Sequence, residues 1–355
     1  SSIEHRGVGG RIEHPASSIE GWAGGWIEHP ASSIGWAGRA DMLQLPPMKA
    51  AHLPVVRLAI VTFLLVTLAA CSEAPAAVDP AYQAEIEEWR AERLARLTAD
   101  DGWLTLTGLY WLEPGKNTFG SAPDNTVVVP DPSVPGEAGI LVLGDDGDVI
   151  VSVPDDSSIT INGEPLGTDR LKTDADGKPD VISGGRAQFY IIKRGDKLGA
   201  RVKDPEAPTR LAFEGIEHFP INPAYRVEAA LEPYDELREV AIPTVLGQES
   251  TMLAPGVLRF TLNGTEMTLE PYVGSADAES YFLIFRDGTS AASTYGAGRF
   301  LSAEAATDGT TFLDFNLAYN PPCAFTPYAT CPLPPPQNWL SAPIEAGEKY
   351  SGEAH

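Results

Sequence analysis

The sequence predicts a mainly β fold that begins with one helix and continues as a β-sandwich and a second antiparallel β domain with a Pro-rich C-terminal arm. Apolar residues recur with helical spacing in one segment only, and after Gly102 short alternating segments are separated by tight-turn sequences such as Asn162-Gly163. The 34 Gly and 31 Pro residues suit a chain with many turns between short strands.

The helix is expected at residues 81–99, after Asp79-Pro80. Its acidic residues lie toward the start and its arginines toward the end, which suits the helix dipole. Glu92 and Arg96 also have the spacing of a stabilising i,i+4 pair. The positions that recur every three to four residues are Tyr82, Ile86, Trp89, Arg93 and Leu97. We expect this face to dock on the following domain through Trp89.

Two regions of short alternating segments follow. Residues 100–205 are expected to form a β-sandwich, with strand candidates at 104–106, 115–119, 126–129, 139–143, 149–153, 159–161, 188–193 and 198–203. Residues 206–355 are expected to form a second antiparallel β domain, with strand candidates at 225–231, 239–242, 256–262, 266–270, 281–286 and 311–315. From Asn316 the chain is rich in proline, and we expect an irregular but ordered arm.

Residues 1–47 are expected to lie outside the fold. They contain a near-duplicate, at residues 12–19 and 27–34, that is too short to stack as a repeat architecture. We interpret them as spurious translation upstream of a start at Met42 or Met48; a disordered low-complexity arm is the alternative.

Residues 48–70 have the pattern of a secretory signal peptide. Basic residues precede a continuous apolar run at 58–70, which is short for a membrane span of about 20 residues, so an uncleaved anchor is disfavoured. The run ends in Leu68-Ala69-Ala70-Cys71, which resembles the bacterial lipobox. That resemblance implies a lipid on Cys71, and residues 71–80 then form an Ala/Pro/Glu tether to the membrane.

The expected location is therefore the bacterial cell envelope, with the chain anchored to a membrane through its N-terminal lipid. Ser72, rather than Asp, follows the cysteine, which favours the periplasmic face of the outer membrane over the inner membrane.

The net charge of −24 excludes one class of partner. Residues 1–70 hold five basic and five acidic residues, so the whole net charge belongs to the exported part. An acidic surface repels phosphate backbones, and no nucleic-acid partner is expected.

Residues 103–166 resemble a forkhead-associated domain. The resemblance is carried by residues 112–121 (LEPGKNTFGS), 124–130 (DNTVVVP) and 159–163 (ITING). In that family an arginine follows the glycine and a Ser-x-x-His element follows the next strand, and together they hold a phosphothreonine. Here Ser121 stands in the arginine's place and residues 135–138 replace the other element. The resemblance thus implies the sandwich, while phosphate capture lacks its guanidinium fork.

A second resemblance is carried by three longer segments. These are residues 103–112 (WLTLTGLYWL), 295–301 (YGAGRFL) and 314–338 (DFNLAYNPPCAFTPYATCPLPPPQN). On these segments the chain, from about Glu85 to Lys349, is similar to a bacterial family known as domain-of-unknown-function family 1684. The resemblance supplies a family and implies no activity.

Cys323 and Cys331 are the two cysteines that remain after Cys71. An even pair in an exported protein is typical of a disulfide, and closing this short loop adds less than about 3 kcal/mol. Metal binding is disfavoured because His218 and the terminal His355 are the only histidines after the signal peptide. Thiol–disulfide catalysis is disfavoured because it usually uses Cys-x-x-Cys spacing, whereas seven residues separate these two cysteines. No metal and no cofactor are expected, and His218 is expected to be a surface or core-edge residue rather than a catalytic base.

Polar and aromatic residues are concentrated near the C-terminus. Amides and carboxylates among aromatic rings suit a carbohydrate or another small polar ligand. The candidate pocket residues are Tyr295, Arg299, Asp314, Asn316, Tyr319, Asn320, Tyr328, Asn338 and Trp339. The alternative is that Arg299 and Asp314 form a structural ion pair while the asparagines bind backbone groups that the prolines leave open.

Two functions stay open. The first is a non-catalytic binding or scaffolding module for such a ligand. The second is a hydrolase-type enzyme that uses Asp314 as acid or base beside Arg299. A pocket in which these two residues converge with another carboxylate would favour the enzyme, whereas burial in separate pairs would argue against both site proposals. The sequence leaves the oligomeric state open.

Overall fold

A computed structural model describes residues 78–247 and 249–352. The repeat segment 1–47, the signal peptide 48–70 and the lipid-attachment candidate Cys71 with most of its tether lie outside these described residues. The described chain from Pro80 onward belongs to one compact unit. Within this part, no helix is both long enough and apolar enough to cross a membrane.

The N-terminal helix, α1, spans Pro80–Leu97, close to its expected position. It buries only Ile86, Arg93 and Leu97. The Trp89 ring packs at a tilt on the Tyr319 ring, with 6.1 Å between centroids, so α1 docks on the C-terminal arm.

Residues 106–203 form a β-sandwich. Its strands are β1 (Leu106–Trp111), β2 (Gly115–Gly120), β3 (Val127–Val128), β4 (Gly139–Leu143), β5 (Val149–Ser152), β6 (Thr160–Ile161), β7 (Glu164–Pro165), β8 (Thr168–Leu171), β9 (Ile182–Gly184), β10 (Ala187–Arg194) and β11 (Lys197–Lys203). One sheet has the order β1-β11-β10-β9-β6-β7 and the other the order β3-β2-β4-β5-β8. The apolar faces of the two sheets share one core, in which Phe119 and Phe189 meet edge to face at 5.2 Å.

A short helix, α2 (Pro208–Leu211), leads to the second β region. Its strands are β12 (Arg226–Pro243), β13 (Glu249–Leu262), β14 (Thr265–Leu269), β15 (Ser280–Phe285), β16 (Arg299–Glu304) and β17 (Thr310–Asp314). Four of them form a sheet of order β14-β13-β12-β17, and β15 pairs with β16. Phe260 of β13 and Phe285 of β15 both pack on Phe315, which joins the two sheets in one core.

The Pro-rich arm crosses this second region as an ordered segment. Single β-bridges fix it to the sheets, pairing Thr244 with Pro332 and Arg286 with Trp339. This part of the chain also contains three short 3-10 turns, at Phe315–Leu317, Pro322–Ala324 and Pro336–Asn338. Polar side chains of the arm are thereby carried into the interior.

Two strand expectations were wrong in detail. The strand expected at 104–106 begins only at Leu106 and runs on to Trp111. Residues 104 and 105 lie outside it because Thr105 donates to the Gly102 carbonyl through both its backbone N–H and its hydroxyl, which closes a 3-10 turn at Trp103–Thr105. The candidates 225–231 and 239–242 belong to the single strand β12, whose register shifts between Pro233 and Arg238. Such an irregularity, like a β-bulge, breaks the alternation of the pattern while the strand continues.

Candidate functional site

The nine candidate residues do not form one pocket. Six of them are buried: Tyr295, Arg299, Asp314, Asn316, Asn320 and Asn338. Tyr319 and Tyr328 are half-buried, and Trp339 is exposed. Seven of them fall into four clusters, and Tyr295 and Tyr328 lie elsewhere.

The first cluster lies where β17 ends, beneath the start of α1. The Tyr82 hydroxyl donates to Asp314 Oδ2 at 2.7 Å and accepts from Asn316 Nδ2 at 2.9 Å. Asp314 Oδ1 accepts from the backbone N–H and the side-chain amide of Asn316, both at 3.0 Å. Burial, followed by the Asp314 carboxylate, raises the pKa of Tyr82, so the phenol stays protonated and donates.

The second cluster holds the middle of α1. Arg93 Nε donates to Glu348 Oε1 at 3.1 Å, and Arg93 Nη2 donates to the Asn320 carbonyl at 3.0 Å. Its guanidinium lies over the Tyr319 ring, 5.1 Å from the centroid. The other carboxylate oxygen of Glu348 accepts from the Asn320 N–H at 2.7 Å. Burial raises the pKa of Glu348, while Arg93 and the Asn320 N–H oppose that rise.

Arg299 forms a third, separate cluster. Its ion pair is with Asp287, at 3.3 Å, and its remaining hydrogen bonds go to the carbonyls of Ile344, Ala346 and Glu348. The guanidinium is fully buried, which lowers the pKa of Arg299 against the opposing effect of Asp287. Arg299 therefore ties β16 to the end of the arm. It does not form the ion pair with Asp314 that was the alternative interpretation of the sequence, because each group has another buried partner.

The fourth cluster is at the second half of the arm. The Asn338 side chain accepts from the Glu270 N–H at 2.8 Å and donates to the carbonyls of Glu270 and Ile284, both at 3.0 Å. This is the backbone-tying role named as the alternative for the asparagines. The next residue, Trp339, is 56% exposed and donates through Nε1 to the Pro334 carbonyl at 2.9 Å.

Tyr295 packs in the same core cluster as the two cysteines. Tyr328 lies between the cysteines in sequence, and its backbone N–H donates to Thr326 Oγ1 at 3.3 Å. The Tyr295 hydroxyl donates to the Cys323 carbonyl at 3.1 Å. Cys323 and Cys331 are buried free thiols, and the Cys323 N–H points to Cys331 Sγ at 3.3 Å. The expected disulfide is thus not formed in the structure, although the two residues are neighbours. Burial raises the pKa of Cys331, which keeps its sulfur in the thiol form.

The sequence did not indicate the partners of these groups. Tyr82 and Arg93 are 232 and 255 positions away from Asp314 and Glu348. One signal was present: Arg93 occupies a position of the recurring face of α1 that suits an apolar residue. A cation at such a position indicates a buried acceptor elsewhere in the fold.

The loop that carries Ser121 is bonded to the loop at residues 134–136. Ser121 donates to Pro135 O through its backbone N–H at 3.0 Å and to Val134 O through its hydroxyl at 2.7 Å. Asn125 Nδ2 donates to Gly136 O at 2.6 Å. These donors serve the loop itself. Across the described chain, no three His, Cys, Asp or Glu side chains are grouped so that they could hold a metal ion.

Comparison with known proteins finds a family model that matches the second β region and the arm. Residues 211–349 match the family model described as "Protein of unknown function (DUF1684)". The expected resemblance from about Glu85 extends over more of the chain than this match. Among curated proteins, none matches this chain.

Three solved structures are similar to parts of the chain. An uncharacterised protein of Haloarcula marismortui, solved by solution NMR, is 35% identical over 41% of this chain and 80% of its own, with a TM-score of 0.35. The FhaA FHA domain, crystallised with the intracellular domain of Rv3910, is 20% identical over 27% of this chain and 97% of its own, with a TM-score of 0.18. An FHA domain from a study of phosphothreonine-dependent interactions is 21% identical over 27% of this chain and 92% of its own, also with a TM-score of 0.18. The expected fold class is confirmed by the strands and sheets themselves: the described chain is mainly β, with a long N-terminal helix followed by several antiparallel sheets.

Proposed function

We propose that this chain is a lipid-anchored, non-catalytic binding module of the bacterial cell envelope and that Trp339 is the platform for a carbohydrate or another small polar ligand. The main support for the proposal is that the Trp339 side chain is both exposed and fixed by a hydrogen bond. Trp339 is 56% exposed, yet its indole N–H donates to the Pro334 carbonyl at 2.9 Å. An exposed aromatic ring contributes less to folding than a buried one, and a fixed orientation makes it a suitable surface for binding a ligand.

The surroundings of Trp339 support this role. The Arg286 guanidinium lies 5.4 Å from the ring centroid, so a cation lies over one part of the indole. On the preceding turn, the side-chain amide of the exposed Gln337 donates to Glu270 at 2.8 Å. An apolar ring between polar groups can stack on the C–H face of a sugar while its neighbours bind hydroxyl groups. Because the prolines and hydrogen bonds of the arm pre-order these groups, little conformational entropy is lost on binding.

Asp314 and Arg299 give the hydrolase alternative no support. Asp314 is engaged by Tyr82 and Asn316, whereas Arg299 is engaged by Asp287 and backbone carbonyls. A general acid or base must reach the substrate, and neither group faces an open pocket with the other.

The ligand is tested with full-length protein and a panel of neutral oligosaccharides of two to six sugar units. A ligand at one hundred times its Kd stabilises the fold by about 2.7 kcal/mol, which a thermal shift detects. We expect a hit whose Kd, measured by calorimetry, rises at least tenfold in Trp339→Ala. The matched control is Phe312→Ala, because Phe312 is 54% exposed and lies on β17. Equal affinity of the Trp339→Ala and Phe312→Ala proteins would remove Trp339 as the platform.

The anchor is tested separately. Cys71 follows an apolar run and is the one cysteine in a lipobox-like sequence. We expect radiolabelled palmitate to be incorporated into the wild-type chain in bacterial cells and not into Cys71→Ser. Labelling of both chains, or of neither, would refute the lipid anchor.

A further inference from the structure

The helix α1 is held on the body mainly by polar groups. Only two apolar side chains, Ile86 and Leu97, are fully buried on it. Trp89 adds a ring contact with Tyr319. The polar contacts include hydrogen bonds from Tyr82 to Asp314, from Arg90 to the Phe219 carbonyl, and from Arg93 to Glu348 and Asn320. A surface helix usually buries a wider apolar stripe, so α1 has a small apolar contribution to its docking.

Arg93 enters a cage that is complementary to a guanidinium group. A carboxylate of Glu348 accepts from Nε at 3.1 Å and the Asn320 carbonyl accepts from Nη2 at 3.0 Å. Two aromatic rings cover the group, with their centroids 5.1 Å (Tyr319) and 5.8 Å (Phe325) from Cζ. A site made of a carboxylate, a carbonyl and ring faces binds a planar guanidinium better than it binds an ammonium group.

All four residues of this cage belong to the body, and one hydrogen bond that holds Glu348 in place comes from the body rather than from α1. Glu348 is fully buried, and the Asn320 N–H fixes its free oxygen at 2.7 Å. All four cage residues lie at positions 319–348, inside the segment that matches the family model, whereas the cation comes from a helix outside that segment. A buried carboxylate held in this way needs a cation, because an unpaired buried charge is strongly disfavoured.

We propose that the cage formed by Tyr319, Asn320, Phe325 and Glu348 is a binding site for a guanidinium cation, which Arg93 occupies in cis and an arginine-bearing ligand occupies when α1 is released. This site is distinct from the Trp339 platform and does not depend on it. The ligand is either a small guanidinium compound or the arginine side chain of a peptide. Because α1 is covalently attached, its effective concentration at the cage is high, and a ligand in trans competes only with the fraction of molecules in which α1 is open.

Amide hydrogen exchange on the unaltered full-length protein tests the release of α1. We expect the amides of α1 to exchange at least tenfold faster than the most protected amides of β12 and β13, with the fast exchange confined to the helix. Equal protection of α1 and these strands would mean that α1 opens only when the whole fold unfolds, and it would overturn the proposal.

Peptide binding tests the chemistry of the cage. The probe is a fluorescent peptide with the sequence of residues 80–97, titrated into full-length wild type, Arg93→Ala and the control Arg96→Ala. Arg96 is on the same helix but pairs with Glu92 at the surface. We expect Arg93→Ala to bind the peptide at least tenfold more tightly than wild type, and Arg96→Ala to behave like wild type. The same peptide with citrulline in place of its Arg93 keeps the shape and loses the charge, so it should bind at least tenfold more weakly.

N-ethylguanidine distinguishes the two sources of the cation. If it raises the Tm of Arg93→Ala and not that of wild type, a small guanidinium compound suffices; if only the peptide binds, the site takes an arginine side chain. Binding of neither probe, or equal binding of the arginine and citrulline peptides, would overturn the proposal. Arg93→Lys replaces Arg93→Ala if the latter does not fold, and it too should bind the peptide more tightly than wild type.

Discussion

Arg299 concentrates several structural roles in one side chain. It is fully buried on β16, pairs with Asp287, and donates to the carbonyls of Ile344, Ala346 and Glu348 at the end of the arm. Three backbone acceptors in an irregular segment would otherwise lack donors, because the segment has no sheet partner for them. The guanidinium therefore substitutes for strand pairing.

We expect Arg299→Met to destabilise the fold by about 3 to 5 kcal/mol, since it leaves Asp287 and the three carbonyls buried without their partner. The free energy of unfolding is measured by urea denaturation, and the m-value should be unchanged. Arg259→Met is the control, because Arg259 pairs with Glu232 and Glu266 on the surface and its removal should cost far less. A loss no larger in Arg299→Met than in Arg259→Met would contradict this account of the arm.

His218 is the only histidine among the described residues, and it lies where a positive charge is unfavourable. Its Nε2 is buried and has no hydrogen-bond partner among the described residues. Burial first, and the neighbouring Arg90 second, lower the pKa of His218 from its ordinary value to about 4. The imidazole is therefore neutral in the folded chain at pH values where it is protonated in the unfolded chain.

This difference predicts how stability depends on pH. Above pH of about 6.5, His218 is neutral in both the folded and the unfolded chain, and it does not reduce the free energy of unfolding. Between pH of about 6.5 and 4, only the unfolded chain binds the proton, so the free energy of unfolding decreases as the pH falls. Because the ring is only half-buried, we expect a loss on the order of 1 to 2 kcal/mol across this window. Urea unfolding at pH 7 and pH 4.5 measures it, and His218→Gln should show a smaller difference between the two values. An unchanged difference in His218→Gln would assign the pH dependence to other groups.

At the scale of elements, the sequence predicted those segments whose pattern is local. The strand at 139–143 has the expected bounds because apolar residues fill it and turn residues flank it. In contrast, β7 and β8 (Glu164–Pro165 and Thr168–Leu171) have almost no apolar residues, and they become strands only because neighbouring strands offer hydrogen-bond partners. Tertiary pairing of this kind leaves no period in the sequence.

The sequence predicted which residue types the candidate site contains, but not which of these side chains lie together. The polar residues of the arm are indeed concentrated in the interior, but a segment with little regular structure has no period that says which side chains face inward. Asn338 is turned inward and the adjacent Trp339 outward, since the 3-10 turn at Pro336–Asn338 sets their directions. Only the long-range partners, such as Glu270 for Asn338, decide which residues converge.

The pair of cysteines makes the arm sensitive to oxidation. Cys323 and Cys331 are adjacent free thiols, and burial raises the pKa of Cys331. Because the thiolate is the reactive form, we expect oxidised glutathione to form the disulfide slowly, and faster in mild urea that opens the arm. Mass spectrometry after alkylation measures the pair, with Cys331→Ser as the control. The closed loop should stabilise the fold by less than about 3 kcal/mol. Two alkylated thiols after prolonged incubation in oxidised glutathione and mild urea would refute the predicted disulfide.

At the scale of the whole molecule, the sandwich and the second β region are joined through buried arginines. Arg194 of β10 and Arg201 of β11 both donate to the hydroxyl of Thr330 in the arm, at 3.1 and 2.8 Å. Arg201 also lies 5.2 Å from the centroid of the Trp103 ring, which packs against the same core as the arm. A single threonine hydroxyl therefore accepts from two strands of the sandwich.

This junction predicts one cooperative unfolding transition for the full-length chain, although the sequence divides into two β regions at about residue 205. Calorimetry should give a calorimetric enthalpy equal to the van't Hoff enthalpy. Thr330→Val keeps the shape of the side chain and removes the shared acceptor, so we expect a loss of about 2 to 4 kcal/mol and a separation into two transitions. Thr311→Val is the matched control, because Thr311 is also buried but bonds to Glu304 within the second region, and this variant should keep one transition. A single transition in Thr330→Val would mean that the two regions are coupled by other contacts, since apolar burial alone would then suffice to keep them together.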